Sequence, residues 1–189
     1  ITKKIYNEVD SLFVVGKTII QDIRYKNILE KQKKLYFIPN GIKKIKNKKR
    51  KKIDLNSLSF ISVSNLEEGK GIDLNIKALS LFNQKFPSYN WTYTIIGDGS
   101  QKNNIKNLIK KERLQNKVIM KGLCNEDEVF KNLETADVFI LPSYREAFGI
   151  AYLEAMSHGL ITMGVSNQGP SHFIKDKVTG FLVKPNSYK

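Results

Sequence analysis

Short apolar runs alternate with segments of helical periodicity along most of this chain of 189 residues. The runs are rich in Val, Ile, Phe and Tyr and end near Gly, Pro or Ser, which is typical of buried strands. They predict strands at Ser11–Gly16, Leu35–Pro39, Leu58–Ser64, Trp91–Gly97, Lys117–Gly122, Asp137–Pro142, Leu160–Val165 and Gly180–Val183. Apolar residues three or four positions apart predict helices at Ile72–Phe86, Gln101–Leu114, Glu126–Thr135 and Phe148–Ser157.

This alternation of strand and helix predicts an α/β fold, a Rossmann-like parallel sheet with helices on both faces. In an open parallel sheet, the ligand crevice lies at the carboxyl ends of the strands. Residues that directly follow the predicted strands are therefore the first candidates for a binding site.

Two glutamates stand eight residues apart where one of these strands passes into a helix. Glu146 falls in the loop after the strand, and Glu154 falls inside the following helix. Four residues at the predicted helix start offer free backbone N–H groups to a phosphate. These residues are Ala147, Phe148, Gly149 and Ile150.

The two carboxylates need hydrogen-bond donors, since apolar side chains flank Glu154 in the sequence. A ribose diol would supply two hydroxyls to Glu154, and Glu146 could accept from sugar hydroxyls in the same crevice. Alternatively, Glu146 is a charge favoured by the helix dipole and Glu154 is a solvated side chain. The residues alone leave both interpretations open.

Two glycine-rich turns follow other predicted strands at the same sheet edge. Lys70 lies in the turn EEGKGID, where a flexible cation could meet a diphosphate. The alternative is an ordinary exposed loop lysine. Gly97 opens the turn Gly-Asp-Gly after another strand, and we expect it to form the floor of the crevice, although a plain tight turn would also explain it.

The chain is strongly basic, with 32 Lys and Arg against 18 Asp and Glu and a formal net charge of +14. The densest block is KKIKNKKRKK, from Lys43 to Lys52. It is either a solvated linker or a patch for an anionic membrane surface. Specific binding of nucleic acid is disfavoured, because no aromatic residues interleave the block.

Other features of the sequence restrict the class of protein further. It contains no run of about 20 apolar residues and no signal-peptide pattern, so we expect a cytoplasmic protein, at most at the inner face of the plasma membrane. Cys124 is the single cysteine, which excludes an internal disulfide. No Asp-x-Asp pair occurs, and His158 has no second ligand at useful spacing, so we expect neither a metal nor a cofactor.

Five segments in order resemble one enzyme family. The segment SYREAFGIAYLEAMSHG is similar to the Glu-x7-Glu signature of the retaining nucleotide-sugar glycosyltransferases with the GT-B fold, glycosyltransferase family 4 (group 1). The others are ISVSNLEEGKGIDLNIKAL, YTIIGDGS, VIMKGL and QGPSHFIKDKVTGFLV. The resemblance implies transfer of a hexosyl unit from a nucleoside-diphosphate sugar, with retention, to a polysaccharide or lipid-linked acceptor. Its implied setting is the assembly of capsule, teichuronic acid or lipopolysaccharide.

The resemblance also implies roles for single residues. Glu146 would contact the sugar hydroxyls, Glu154 the ribose and Lys70 the leaving diphosphate. Leu123 would lie near the base and offer backbone contacts. With the backbone of residues 147–150, these residues would form the donor site.

Two positions depart from the family pattern. Asn65 stands where many members carry an arginine, and His172 stands where a glutamate is usual. Loss of an arginine fork at Asn65 implies weakened or altered diphosphate binding. A truncated non-catalytic module, or one half of a split enzyme, therefore remains an alternative. A sugar-nucleotide epimerase of the same fold is a further alternative, which the Glu-x7-Glu loop and Lys70 argue against.

The resemblance divides the chain into three parts. Residues 1–41 resemble the end of the N-terminal acceptor domain, and residues 42–56 form a basic linker or hinge. Residues 57–189 form the nucleotide-sugar-binding, Rossmann-like domain, the C-terminal half of a GT-B enzyme, shortened at its C-terminal end. We expect such a half to bind donor weakly and to catalyse poorly without the acceptor side of the cleft.

Overall fold

The computed structural model describes residues 10–16, 35–43 and 52–187. The strands are β1 (Leu12–Val14), β2 (Leu35–Phe37), β3 (Ser57–Val63), β4 (Asn90–Ile96), β5 (Val118–Gly122), β6 (Val138–Ile140), β7 (Ile161–Val165) and β8 (Phe181–Val183). The helices are α1 (Ile72–Lys85), α2 (Lys102–Lys111), α3 (Glu126–Thr135) and α4 (Ile150–Ser157). All eight predicted strands form, with boundaries that differ from the prediction by at most two residues.

Six strands form one parallel sheet in the order β5-β4-β3-β6-β7-β8. The chain enters in the middle at β3, moves outward to β5, and then returns to β6 and moves outward in the opposite direction. Because crossovers between parallel strands are right-handed, α1 and α2 cover one face and α3 and α4 the other. In agreement, α1 contacts α2, and Phe130 of α3 packs on His158 after α4. The predicted Rossmann-like fold is confirmed.

The first two strands form a separate parallel sheet, in which Leu12 pairs with Leu35 and Val14 with Phe37. Both strands were predicted from the sequence of residues 1–41. Residues 44–51, the central part of the basic block, lie outside the described residues.

The predicted start of the last helix at Phe148 is wrong. The helix α4 begins at Ile150, because Gly149 has a left-handed φ of 94° and cannot continue a helical path toward its N-terminal side. With β6 ending at Ile140, the loop after β6 spans residues 141–149 and is four residues longer than the sequence suggested.

The predicted bounds of the second helix, Gln101–Leu114, are also too wide. Gln101 is the N-cap of α2, and the helix ends at Lys111. Arg113 then takes a φ of 58°, a left-handed conformation that terminates helices. A short 3₁₀ helix at Gly169–His172 was not predicted, and Pro170 at its start favours such a turn.

A buried polar network ties α1 to the middle of the sheet. Asn75 of α1 donates to Tyr93 Oη at 2.9 Å and to the backbone oxygen of Ile140 at 3.1 Å. Ser62 Oγ lies 2.7 Å from Tyr93 Oη. Tyr93 is fully buried, and burial raises the pKa of its hydroxyl to about 12. The network fixes β3, β4 and β6 directly below the loops that follow β3 and β6.

In the part of the chain that the structure describes, no helix is long and apolar enough to cross a membrane. No group of three or more His, Cys, Asp or Glu side chains in this part could hold a metal ion. Cys124 is half-buried and free.

Candidate functional site

The strand order reverses between β3 and β6, and in open parallel sheets this reversal opens the crevice in which ligands bind. The β3 loop, residues 64–71, carries Asn65 and Lys70. The β6 loop, residues 141–149, carries Glu146. The fold therefore brings residues from two distant segments of the sequence to one edge of the sheet.

Lys70 and Glu146 form an ion pair in this crevice. Lys70 Nζ lies 3.0 Å from Glu146 Oε2, and the two side chains are 25% and 17% exposed. Both charges are largely withdrawn from water, where an opposite charge attracts more strongly than at an open surface. The contact joins the residue predicted to bind the diphosphate, Lys70, to the residue predicted to bind the sugar hydroxyls, Glu146.

The two loops also meet through their backbones. Tyr144 N donates to Gly69 O at 2.9 Å. Gly71 has a φ of +73°, and a Cβ atom there would lie 2.5 Å from Pro142 O. Both the backbone conformation and the close approach therefore require glycine. Gly69 and Gly71 seat the β3 loop on the β6 loop and so set the position of Lys70 between them.

A third segment holds the backbone of Glu146. Glu146 N donates to Gln168 Oε1 at 3.1 Å, and Gly169 N donates to Glu146 O at 2.7 Å. A Cβ atom on Gly169 would lie 2.5 Å from Phe148 N, so the two segments are in direct backbone contact. Gln168 and Gly169 begin one of the segments that resemble the family, but the sequence analysis assigned them no role, because no periodicity or spacing links the segment after β7 to the β6 loop.

The β6 loop supplies a second cation that sequence reasoning also missed. The side chain of Arg145 lies across Gly69, and its Cδ would be 3.2 Å from a Cβ atom built there. The guanidinium carbon lies 5.8 Å from the centroid of the Tyr144 ring. The aliphatic part of the exposed Arg145 side chain therefore packs on the β3 loop, one residue from Lys70.

Of the four residues predicted to form an anion-binding helix start, Ile150 is the one that belongs to α4. Gly149 is the N-cap, and Ala147 and Phe148 belong to the β6 loop. Phe148 is buried, and its ring centroid lies 5.8 Å from that of Phe173. The four backbone N–H groups therefore do not form a single helical turn as predicted.

Glu154 lies on α4 in a partly buried position. Burial raises the pKa of its carboxyl, the Glu126 carboxylate raises it further, and His158 opposes these effects. A negative charge on Glu154 is thus poorly compensated, and hydroxyl donors from a ligand would relieve it. The partial burial argues against a fully solvated side chain.

The loop after β4 packs directly against the β3 loop. A Cβ atom on Gly97 would lie 1.8 Å from Ser64 O. Ser100 donates from N and from Oγ to the carboxylate of Glu67, and these bonds lower the pKa of Glu67. The contact with Ser64 explains the glycine at position 97 without a ligand.

Two further predicted residues lie on the surface of the same edge. Asn65 is exposed in the β3 loop, and Leu123, after β5, is 77% exposed. Leu123, Cys124 and Glu128 line an open depression of about 550 Å³. His172, the second departure from the family pattern, is exposed at the end of the 3₁₀ helix.

The model of the family described as Glycosyl transferases group 1 matches residues 43–189. The match covers more than half of the chain, and the chain therefore belongs to this family of group 1 glycosyl transferases. The resemblance to group 1 glycosyltransferases stated from the sequence is confirmed.

Curated relatives agree with the family. The chain is 32% identical to the amylovoran biosynthesis glycosyltransferase AmsK of Erwinia amylovora over 131 residues, 66% of this chain and 32% of AmsK. It is 31% identical to the putative colanic acid biosynthesis glycosyltransferase WcaL of Escherichia coli (strain K12) over 135 residues, 68% of this chain and 33% of WcaL. The chain spans about a third of the length of these relatives.

Solved structures share the fold. A mutant of S. aureus TarM, crystallised in complex with Fondaparinux, alpha-GlcNAc-glycerol and UDP, matches with a TM-score of 0.80 at 23% identity, over 98% of this chain and 36% of TarM. The pneumococcal O-GlcNAc transferase GtfA, in complex with UDP and GlcNAc, matches with a TM-score of 0.79 at 22% identity, over 98% of this chain and 36% of GtfA. These likenesses confirm the fold of a C-terminal, Rossmann-like domain of a GT-B enzyme.

Proposed function

We propose that this chain is the donor-binding half of a retaining hexosyltransferase that uses a nucleoside-diphosphate sugar. The ion pair between Lys70 and Glu146 carries the proposal, because one crevice then holds a cation for a diphosphate and a carboxylate for sugar hydroxyls. Both residues lie where the strand order reverses, the usual position of a ligand in such sheets.

Donor binding would exchange the partners of this pair. The diphosphate oxygens would replace Glu146 as the partner of Lys70, and the freed carboxylate of Glu146 would accept from the sugar hydroxyls. As the bond to the leaving diphosphate breaks, negative charge grows on its oxygens, and Lys70 would stabilise that charge. Lys70 and Glu146 are thus the proposed catalytic residues.

The other residues predicted for the donor site would contact the ribose, the base and the floor of the crevice. Glu154 would accept from the ribose diol, and Leu123 would lie beside the base. Backbone groups of Gly97 and of residues 147–150 would complete the floor of the site.

Arg145 supports diphosphate binding despite the departure at Asn65. Its side-chain carbons lie against Gly69, the neighbour of Lys70, which brings the guanidinium close to the β3 loop. We propose that Arg145 takes part of the charge that the family arginine would supply at position 65.

The proposal assigns charge neutralisation to Lys70 and Arg145 instead of to a metal ion. Nucleotide binding by the chain should then be the same in EDTA and in millimolar Mg²⁺. A requirement for Mg²⁺ would contradict this part of the proposal.

The biological setting is also proposed. Relatives named for the biosynthesis of amylovoran, colanic acid and O-antigen support the assembly of a cell-surface polysaccharide, on a polysaccharide or lipid-linked acceptor. The block from Lys43 to Lys52 would hold the protein near the anionic inner leaflet of the plasma membrane. Sedimentation with vesicles that contain anionic or only zwitterionic lipid tests this contact.

The domain division remains a proposal as well. The separate β1–β2 sheet supports a first unit that ends near residue 41, followed by a hinge at 42–56 and the donor-binding domain at 57–189. Limited digestion with trypsin should cut first within the basic block and leave a resistant fragment that begins near residue 53.

The activity itself is tested with a panel of donors. Calorimetric titration with UDP, GDP and ADP identifies the base, and titration with UDP-GlcNAc, UDP-glucose, GDP-mannose and ADP-glucose identifies the sugar. Proton NMR of the sugar released by slow donor hydrolysis then reports its anomeric configuration. An α-sugar from an α-linked donor is the expected result, whereas a β-sugar would contradict retention.

One observation favours a non-catalytic or split-enzyme module instead. Asn65 lacks the guanidinium that many family members place next to the diphosphate. If the chain binds a nucleotide sugar but hydrolyses none of the panel, and gains activity only with a separately supplied partner chain, this second function is the correct one.

A further inference from the structure

We infer that Gln168 is a positioning residue for Glu146, through which it controls recognition of the donor sugar. The inference rests on the proposed function, in which Glu146 contacts that sugar. Gln168 lies in the segment after β7, 22 residues from Glu146, and its side-chain amide reaches the β6 loop.

Both polar backbone groups of Glu146 are bonded to this one segment. Its N–H donates to the side-chain oxygen of Gln168 at 3.1 Å, and its C=O accepts from Gly169 N at 2.7 Å. The β6 loop belongs to neither a helix nor a strand at Glu146, so these two bonds take the place of a regular backbone ladder. They fix the peptide groups on both sides of the Glu146 side chain.

The segment that provides these bonds is itself held firmly. The backbone oxygen of Gln168 accepts from Ser171 N at 2.9 Å and from Ser171 Oγ at 2.7 Å. Gly169 and Pro170 are buried, and Pro170 lies against Gly164 of β7. Gln168 therefore fixes the β6 loop at Glu146 relative to strand β7 of the sheet.

Lys70 has a different support. Its loop is seated on the β6 loop before Glu146, by Gly71 against Pro142 and by the bond from Tyr144 N to Gly69 O. The bonds from residues 168 and 169 act instead on the backbone of Glu146 itself. Loss of the Gln168 bond should move Glu146 and leave the site for the diphosphate intact.

The test compares two ligands that differ only in the sugar. For the donor pair selected by the panel (UDP with UDP-GlcNAc or UDP-glucose, GDP with GDP-mannose, or ADP with ADP-glucose), the ratio of the two dissociation constants measures the contribution of the sugar. Gln168→Met keeps the length of the side chain but removes the acceptor. Gln168→Glu keeps an acceptor oxygen. The control Gln115→Met makes the same Gln-to-Met substitution in an exposed turn.

We expect Gln168→Met to shift this ratio by about fivefold or more against the nucleotide sugar, in the same direction as Glu146→Ala. The affinity for the nucleotide itself should stay the same or rise by up to about threefold, because a displaced Glu146 competes less for Lys70. Gln168→Glu should retain the wild-type ratio even if its negative charge weakens both ligands equally. Gln115→Met should behave as the wild type. If Gln168→Met does not fold, Gln168→Asn, which is too short to span the gap, should give the same shift.

A wild-type ratio in Gln168→Met or Gln168→Asn, beside a shifted ratio in Glu146→Ala, would overturn the inference and leave the proposed function intact. An equal loss of both ligands in Gln168→Met would also overturn it, since that result indicates general damage to the site. If Glu146→Ala leaves the ratio unchanged, or Lys70→Met leaves nucleotide binding unchanged, the proposed function itself fails, and the inference fails with it.

Discussion

Lys70 Nζ lies 3.0 Å from Glu146 Oε2, so the cation and the carboxylate of the crevice neutralise each other before any donor is present. In the proposed function, a diphosphate would therefore compete with Glu146 for Lys70. The sugar of a donor would compensate by using the carboxylate that is released, whereas a free nucleotide would offer no such compensation.

Glu146→Gln should therefore strengthen the binding of a free nucleoside diphosphate. Removal of one carboxylate charge beside Lys70 is expected to tighten binding by about threefold to tenfold, because an opposite charge in a partly buried pair is worth roughly 1 kcal/mol. Isothermal titration calorimetry measures the change. Glu68→Gln removes the same charge from an exposed position of the β3 loop and should have a smaller effect. Equal effects of the two substitutions would show that only net charge matters.

The stability of the crevice should depend on Gly71 through a steric contact. Gly71 and Gly122 both have a φ of +73°, but a Cβ atom would meet Pro142 O at 2.5 Å on Gly71 and nothing within 4 Å on Gly122. Gly122→Ala should cost about 1–2 kcal/mol of unfolding free energy for the left-handed backbone alone. Gly71→Ala should cost about 1–3 kcal/mol more, because the clash is added. Urea denaturation measures both, and equal costs would contradict the close contact between the two loops.

Glu154 should make the chain less stable at neutral pH. Burial and Glu126 raise the pKa of its carboxyl above the ordinary value of 4.5, so the charged form is disfavoured in the folded state. The penalty is absent below the ordinary pKa, where both states are protonated, and it grows as the pH rises through the folded pKa. Glu154→Gln should therefore stabilise the chain at pH 7 and leave stability unchanged near pH 4.

The same substitution should weaken nucleotide binding, since an amide cannot accept from both ribose hydroxyls as a carboxylate does. Asp127→Asn, at an exposed position of α3, is the matched control for charge. Thermal unfolding at several pH values and nucleotide titration measure the two effects. Destabilisation by Glu154→Gln at pH 7, with unchanged binding, would indicate a purely structural glutamate.

Because of Tyr93, the free energy of unfolding should fall at alkaline pH. The pKa of its buried hydroxyl is raised to about 12, whereas an unfolded tyrosine titrates near 10. The unfolded state therefore loses its proton first, and wild-type stability falls as the pH rises from about 10 to 12. Tyr93→Phe should cost about 1–2 kcal/mol at pH 8 through the lost bonds to Asn75 and Ser62, and this deficit should shrink above pH 10.

Urea denaturation between about pH 8 and about pH 11 follows this change. Tyr89→Phe, at an exposed tyrosine, should give a curve parallel to that of the wild type. A deficit of Tyr93→Phe that stays constant over the whole range would contradict the buried, protonated state of Tyr93.

The strands, the helices and the parallel sheet could be predicted from the sequence because the patterns that specify them are local. Apolar runs such as Trp91–Gly97 predicted strands, and the alternation with helices predicted a parallel sheet. Glycine at position 149 was an available signal that the last helix begins at Ile150, since glycine readily takes the left-handed conformation that Gly149 has before this helix. The reversal of strand order between β3 and β6 was not local, and the structure was needed to show it.

The site was predicted in part for the same reason. Lys70 and Glu146 each follow a strand, so their presence at one sheet edge could be expected, but their direct contact could not. Gln168 and Arg145 act across contacts between loops, which leave no periodic pattern. Gly97 was predicted to form the floor of the crevice. Its close contact with Ser64 explains why position 97 is a glycine, and its place in a donor site stays a prediction.

The central claim is that Lys70 receives the diphosphate of a nucleotide sugar. Calorimetric titration of the wild type, Lys70→Met and Lys106→Met with UDP, GDP and ADP at moderate salt tests it most directly, since Lys106 is an exposed lysine on α2. We expect that one nucleotide binds and that, of the two substitutions, only Lys70→Met weakens its binding, by about 1–3 kcal/mol. Equal affinities of a folded Lys70→Met variant and the wild type, or no binding of any nucleotide to the folded wild type, would contradict it.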